Sequence, residues 1–358
     1  MSKPRVIAFY LPQFYPTPEN DEWWGKGFTE WTNVGRAKPL FKGHYQPKVP
    51  ADLGYYDLRL PIVREQQADL AREAGVEGFC YWHYWTDGKR MLSDVFKEVL
   101  RDKKPDYPFC LCWANHDWFK KTWTEKGKDI LLVKQLYPGK KDYEDHFYAM
   151  LDAFKDPRYM KTNGKLIFGV FQPQFIPNPQ EFMDTWNSLA RKNGLEGFHF
   201  FAYSHQRSRN EEFLNLGFDS LAFNPDFESM FKKGLLARAI SKVKRNYIHI
   251  PQLIQYSEYV EVCKEVFNTN PKIYPCIEPN FDHSPRSGTR GLILHESTPK
   301  LWKKLCEETF KIREGLPHDD NLIFIKAWNE WGEGNYLEPD LRFGKQYLKA
   351  LREAVDRF

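Results

Sequence analysis

Apolar residues in this chain gather in short runs, each closed by polar or aromatic residues and followed by a stretch of helical spacing. The first run, Val6 to Leu11, shows no alternation, as expected of a strand buried on both faces. Leu60, Val63, Gln67, Leu70 and Ala74 then repeat at helical intervals, with Pro61 in the first turn and Gly75 as the stop. The alternation continues. Strands are predicted over Gly78–Tyr84, Phe109–Trp113, Leu166–Phe171, Phe198–Tyr203, Ser220–Phe223, Ile273–Ile277 and Leu322–Ala327. Helices are predicted near 91–101, 142–154, 179–192, 257–267, 300–313 and 341–355, with a short one before Ser220. About eight β/α units imply parallel strands joined by right-handed crossovers. The expectation is an α/β protein, a single-domain (β/α)8 TIM barrel over residues 1–358, with a long loop after strand 1 from Pro12 to about Tyr56. A doubly wound open sheet is the alternative. It would concentrate its ligand groups at one switch point, whereas here nearly every strand ends in polar or aromatic residues.

Composition narrows the function. Aromatic residues make up 16% of the 358, more than a core needs, and suggest a binding cleft. The net charge of +4 argues against nucleic acid as a partner. One basic stretch, Lys232, Lys233, Arg238, Lys242, Lys244 and Arg245, reads as the solvated face of an amphipathic helix. Cys80, Cys110, Cys112 and Cys276 lie in strand-like runs and read as small core residues, not as a disulfide framework. No run approaches a membrane span. The first residues lack a long apolar stretch, because Pro12 and Gln13 interrupt it, which points to a cytoplasmic location.

The strand ends carry the candidate chemistry. In a barrel they would bring Tyr10 and Gln13, Tyr81 and His83, Trp113, Asn115 and His116, Tyr203 and His205, Asp282, and Trp328, Asn329 and Trp331 to one mouth, with Trp31 from the long loop. Flat rings among hydrogen-bonding groups suit a polyhydroxylated ligand. The last strand leads into Trp328-Asn329-Glu330-Trp331-Gly332-Glu333-Gly334. Carboxyls packed among indoles are desolvated, which raises their pKa and allows one to act as a general acid. Glu330 and Glu333 are therefore the candidate catalytic pair, with the tryptophans as sugar-stacking walls. Walker and dinucleotide glycine motifs, a Gly-x-Ser-x-Gly elbow, His-x-x-x-His and Asp-x-Asp are missing, so neither a metal nor a cofactor is expected.

The same motif, with Leu337-Glu338-Pro339 after it, resembles the signature of glycoside hydrolase family 99 and its WbsX-like relatives, which often accompany polysaccharide and O-antigen genes. Ala8 to Pro16, Gly27-Phe28-Thr29-Glu30-Trp31, Gly78 to Trp82, Leu111 to Asn115 and Asp282 to Arg286 resemble the WbsX-like branch more closely. The resemblance implies a (β/α)8 barrel and a metal-independent, retaining, endo-acting enzyme on α-mannosidic links. It further implies Glu330 as base on the sugar 2-hydroxyl and Glu333 as general acid/base. The partner would be an oligosaccharide or polysaccharide whose 2-hydroxyl is trans to the leaving group. The chain departs from the hydrolase pattern at Gly332, where His is usual, and at Asn335-Tyr336, where Thr-Gln is usual. It departs from the branch at His116-Asp117, where Glu-Asn is usual. A glycosyltransferase of O-antigen or capsule assembly and a non-catalytic carbohydrate-binding barrel are the alternatives.

Overall fold

The structure, a computed structural model, describes residues 3–121, 129–225 and 250–358. The basic stretch from Lys232 to Arg245 lies outside them. Eight parallel strands close on themselves: β1 (Arg5–Tyr10), β2 (Gly78–Thr86), β3 (Phe109–Trp113), β4 (Lys165–Val170), β5 (Phe198–Ser204), β6 (Ser220–Phe223), β7 (Ile273–Ile277) and β8 (Leu322–Ile325). Closure is made by β1, which pairs with β2 on one side and β8 on the other, Ile7 standing opposite both Gly78 and Phe324. This is the expected (β/α)8 barrel. Among the helices are α1 (Pro18–Trp24), α2 (Glu30–Arg36), α3 (Pro61–Ala74), α4 (Asp94–Asp102), α5 (Lys140–Phe154), α6 (Pro179–Lys192), α7 (Asn210–Asn215), α8 (Tyr256–Val266), α9 (Pro299–Ile312) and α10 (Gln346–Arg357).

Side chains alternate in and out along each strand, and both sets are buried. Phe9, Trp82, Tyr203 and Phe324 point into the barrel. Phe9 lies 4.7 Å from Trp82, 5.4 Å from Phe324 and 5.6 Å from Tyr203 between ring centres. Gly169 in β4 makes this interior possible, since a Cβ there would fall on the ring of Phe201. The outward set packs under the helices, as where Phe168, Phe198 and Phe200 meet Trp186 of α6. The six cysteines are buried and unpaired, four of them on barrel strands.

The long segment after β1 is less irregular than its sequence suggests. It folds into α1 and α2, the first capped by the Thr17 side chain, which accepts from the Asn20 amide. It is then pinned to the barrel. His44 Nε2 and Gln46 Nε2 meet Asp282 Oδ2 at 2.8 and 2.7 Å, and Lys48 Nζ donates to the Gly334 carbonyl at 3.0 Å. A two-stranded ribbon, residues 118–120 with 130–133, stands beside this segment and was not expected from the periodicity. No helix among the described residues is long and apolar enough to cross a membrane.

Candidate active site

The last strand delivers the Trp-Asn-Glu motif to the barrel mouth, and an asparagine fixes it there. Asn329 Oδ1 accepts from the Leu11 amide at 2.8 Å and its Nδ2 donates to the Leu11 carbonyl at 3.1 Å, tying β8 to β1. Trp331 stacks on Tyr336 at 3.7 Å, and its Nε1 donates to Glu338 Oε2 at 2.6 Å. Tyr56 and Gln67 donate to the same carboxyl, at 2.9 and 2.6 Å. Trp328 is wholly buried against Phe79. Both motif indoles thus face the core and brace the turn. They are not the walls of the cleft.

Glu330 and Glu333 face a cleft of about 490 Å³. One guanidinium bridges them: Arg286 Nη2 lies 2.8 Å from Glu330 Oε1, and Nη1 lies 2.6 Å from Glu333 Oε1. Arg286 also pairs with Glu30 of α2, through Nε at 3.2 Å and Nη2 at 3.1 Å. Lys326 Nζ lies 3.5 Å from Glu333 Oε2, and His283 Nε2 3.9 Å from Glu333 Oε1.

The two carboxyls therefore differ. Burial pushes Glu330 above the ordinary carboxylate range, and repulsion from Glu333 adds to it. Burial opposes ionisation of Glu333 as well. Lys326, Arg286 and His283 outweigh it and hold Glu333 well below that range. The surroundings thus separate the two acids, favouring the neutral form at Glu330 and the ionised form at Glu333. A further acid stands behind Lys326. Glu278, just past β7, is raised to about 7, chiefly by burial. The parity of the strands predicts both positions: Lys326 is two residues beyond the inward Phe324, and Glu278 two beyond Cys276.

The cleft walls are aromatic, but the rings come from elsewhere. Trp82 and Tyr84 of β2 and Phe171 after β4 line the inner part. Trp23, Trp24 and Phe28 from the long segment, with Trp118 and Phe119 from the ribbon, line the outer part. Of the residues expected at the mouth, Gln13 and His116 line the cleft with the two glutamates. Gln13 Nε2 donates to the Tyr84 hydroxyl at 2.5 Å. Tyr203 lies beneath, in the barrel interior, with His205 against it at 4.8 Å.

The others are placed differently. Tyr10, Tyr81, His83 and Trp113 have outward parity. Tyr10 donates to Gln67 of α3 at 2.7 Å, and Tyr81 packs on Phe96 of α4. His83 meets His146 of α5 at 2.7 Å, and Trp113 packs on Phe182 of α6. Asn115 straps β3 to β4 through the Gln172 amide and carbonyl, at 2.7 and 2.8 Å. Trp31 anchors α2 by donating to the Tyr56 carbonyl at 2.7 Å, and Asp282 clamps the long segment. Glu30, Arg286 and Lys326 were not anticipated as site residues, although Glu30 and Arg286 sit inside segments that carry the family resemblance. No group of three His, Cys, Asp or Glu placed to hold a metal ion occurs among the described residues.

The model of the family described as Glycosyltransferase WbsX matches residues 6–351. A protein of Xanthomonas campestris pv. campestris, described as uncharacterized protein WxcX, is 36% identical over 355 residues, covering 98% of this chain and 50% of that protein. The chain thus spans about half the length of the curated relatives it matches. A solved structure titled glycoside hydrolase-like protein superposes with a TM-score of 0.63 at 15% identity, covering 99% of this chain and 94% of the other. The GH99 endo-α-mannosidase from Bacteroides thetaiotaomicron superposes with a TM-score of 0.55 at 14% identity, covering 99% and 97%. At these identities the likeness is one of fold.

Proposed function

The chain belongs to the family described as Glycosyltransferase WbsX, and we propose that it is a retaining glycoside hydrolase of a polysaccharide or glycan, acting without a metal or cofactor. The links it cuts are α-mannoside-like, with the 2-hydroxyl trans to the leaving group. The observation that supports this most is the carboxyl pair. Glu330 and Glu333 open on one aromatic cleft and share Arg286, and their surroundings push their pKa values in opposite directions. Breaking a glycosidic bond with retention needs one carboxyl as acid and a second that either attacks C1 itself or takes the proton of a sugar hydroxyl that attacks it. By motif order, Glu330 takes the proton of the sugar 2-hydroxyl as O2 closes on C1, while Glu333 protonates the departing oxygen. Water then opens the 1,2-anhydro sugar at C1. Glu333 takes the water's proton and Glu330 returns its own to O2.

A second assignment of roles is favoured by the charge distribution. Lys326 and Arg286 favour the carboxylate at Glu333 and burial favours the neutral form at Glu330, which suits Glu330 as the acid and Glu333 as the base. A glycosyl-transferring reading rests on the family description, which the absence of Asp-x-Asp and phosphate-binding glycine loops counts against. It predicts a rise in melting temperature with nucleotide sugars. A non-catalytic barrel predicts oligosaccharide binding that survives both glutamate substitutions, without turnover.

The test is an array of α-mannosyl, α-rhamnosyl and related oligosaccharides incubated with wild type, Glu330→Gln and Glu333→Gln and read by mass spectrometry. Cleavage by wild type alone supports the reading, and undiminished cleavage by both variants overturns the site. Aryl glycosides with good leaving groups settle the roles, since they need no acid. The variant that still releases the aryl group has lost the proton donor.

A further inference from the structure

Glu30 is a third acid at the pair, and hydrolysis by two carboxyls does not use it. It comes from α2, in the segment after β1, 256 residues before Arg286. Its two oxygens lie on the Nε side of Arg286, at 3.1 and 3.2 Å, and Asn33 Nδ2 supports Oε2 at 3.3 Å. The guanidinium is thus gripped along one edge by Glu30 and offers its remaining donors to Glu330 and Glu333. Gly332, between the two motif glutamates, has the matching property. Its φ is not in the region that only glycine favours, so backbone conformation does not explain it. A Cβ there would fall on the Glu30 carboxylate and come within 3.0 Å of Arg286 Nε.

We propose that Glu30 is a positioning residue of the active site, fixing Arg286 across Glu330 and Glu333, and that Gly332 lacks a side chain in order to admit it. The inference rests on the proposed function only in calling the pair catalytic. With Glu30 in place the guanidinium cannot rotate away from either motif glutamate without breaking an ion pair. Glu30 also adds negative charge on the Glu330 side, in the direction that keeps a proton there. Among the described residues, the other charged or titratable groups facing the pair are Arg286 and His283 from the turn after β7, Lys326 after β8, Glu278 after β7, His205 after β5 and Tyr84 of β2.

The test is a double-substitution cycle that needs no substrate. Wild type, Gly332→Ala, Glu30→Ala and Glu30→Ala/Gly332→Ala are compared by thermal unfolding. Overpacking a filled site should lower the midpoint by several degrees in the wild-type background, and by less than half as much once the Glu30 carboxylate is gone. Equal losses in both backgrounds would overturn the fit between Gly332 and Glu30. Glu30→Gln is then followed by infrared difference titration of the carboxyls, with Glu330→Gln identifying the Glu330 band. The Glu330 transition is expected at least half a pH unit lower than in wild type, a shift that a merely structural residue would not cause. An unmoved transition would overturn the positioning role. Neither readout depends on turnover, so a failure of the glycosidase reading would leave both interpretable.

Discussion

Glu338 is held by neutral hydrogen-bond donors, and its burial makes the stability of the protein depend on pH. Its carboxyl accepts from Trp331 Nε1, the Tyr56 hydroxyl and Gln67 Nε2. Burial nonetheless outweighs these donors and raises its pKa to about 7, against an ordinary 4.5. Between those values the folded protein keeps a proton that the unfolded chain has lost. The stabilisation is fully present below pH 4.5 and is lost as pH rises to 7. At about 1.4 kcal/mol per pH unit for one proton, the loss comes to about 3 kcal/mol. Glu338→Gln removes this titration. The amide oxygen can take the Trp331 and Tyr56 donors. Turning the Gln67 amide over then lets its oxygen accept from the new amide and its nitrogen donate to Tyr10. The assay is urea unfolding of both proteins from pH 4.5 to 8. The variant should match or fall slightly below wild type at pH 4.5 and gain on it steadily to pH 7, by about 3 kcal/mol in all. A difference between the two proteins that stays constant across this range would refute the reasoning.

Asn329→Ala would leave the Leu11 amide and carbonyl buried without partners. It should cost about 2 kcal/mol or more in urea unfolding, with the far-UV spectrum preserved. Trp24→Ala removes a ring that is 39% exposed on the cleft wall. Its midpoint should stay within about 0.5 kcal/mol of wild type, while oligosaccharide affinity measured by calorimetry falls about tenfold. Lys326→Met takes away the strongest cation holding Glu333 ionised. The Glu333 carboxyl transition should move to higher pH, followed by infrared titration and, with a substrate, by the acidic limb of kcat/KM.

The barrel was legible because parallel strands buried on both faces write themselves as unbroken apolar runs, and signals such as Pro61 at a helix start and Gly75 at its stop mark the crossovers. Strand ends were legible for the same reason. Which way each side chain points was not. In Gly78–Thr86 every residue is buried, so hydrophobicity carries no parity, and Tyr81 and His83 were assigned to a mouth that Trp82 and Tyr84 occupy. One inward residue on each strand would have set the rest by alternation. Lys326 offered such a signal, a charge inside an apolar run. The motif indoles misled differently. Trp331 turns away from the cleft that Glu330 and Glu333 face and spends its donor on Glu338. Glu30 and Arg286 could not be placed at the pair from spacing, because only the folded chain brings positions so far apart together.

The asparagine clasp between Leu11 and Asn329 has a kinetic consequence. It spans 318 residues, nearly the whole chain, and it joins the first strand to the segment that carries the acids. Contacts of such sequence separation form late, because the entropy of closing the intervening loop must be overcome first. A partly folded intermediate can therefore hold several finished β/α units and still lack the assembled cleft. In a refolding experiment, the helical signal should return before any glycan is bound or cut.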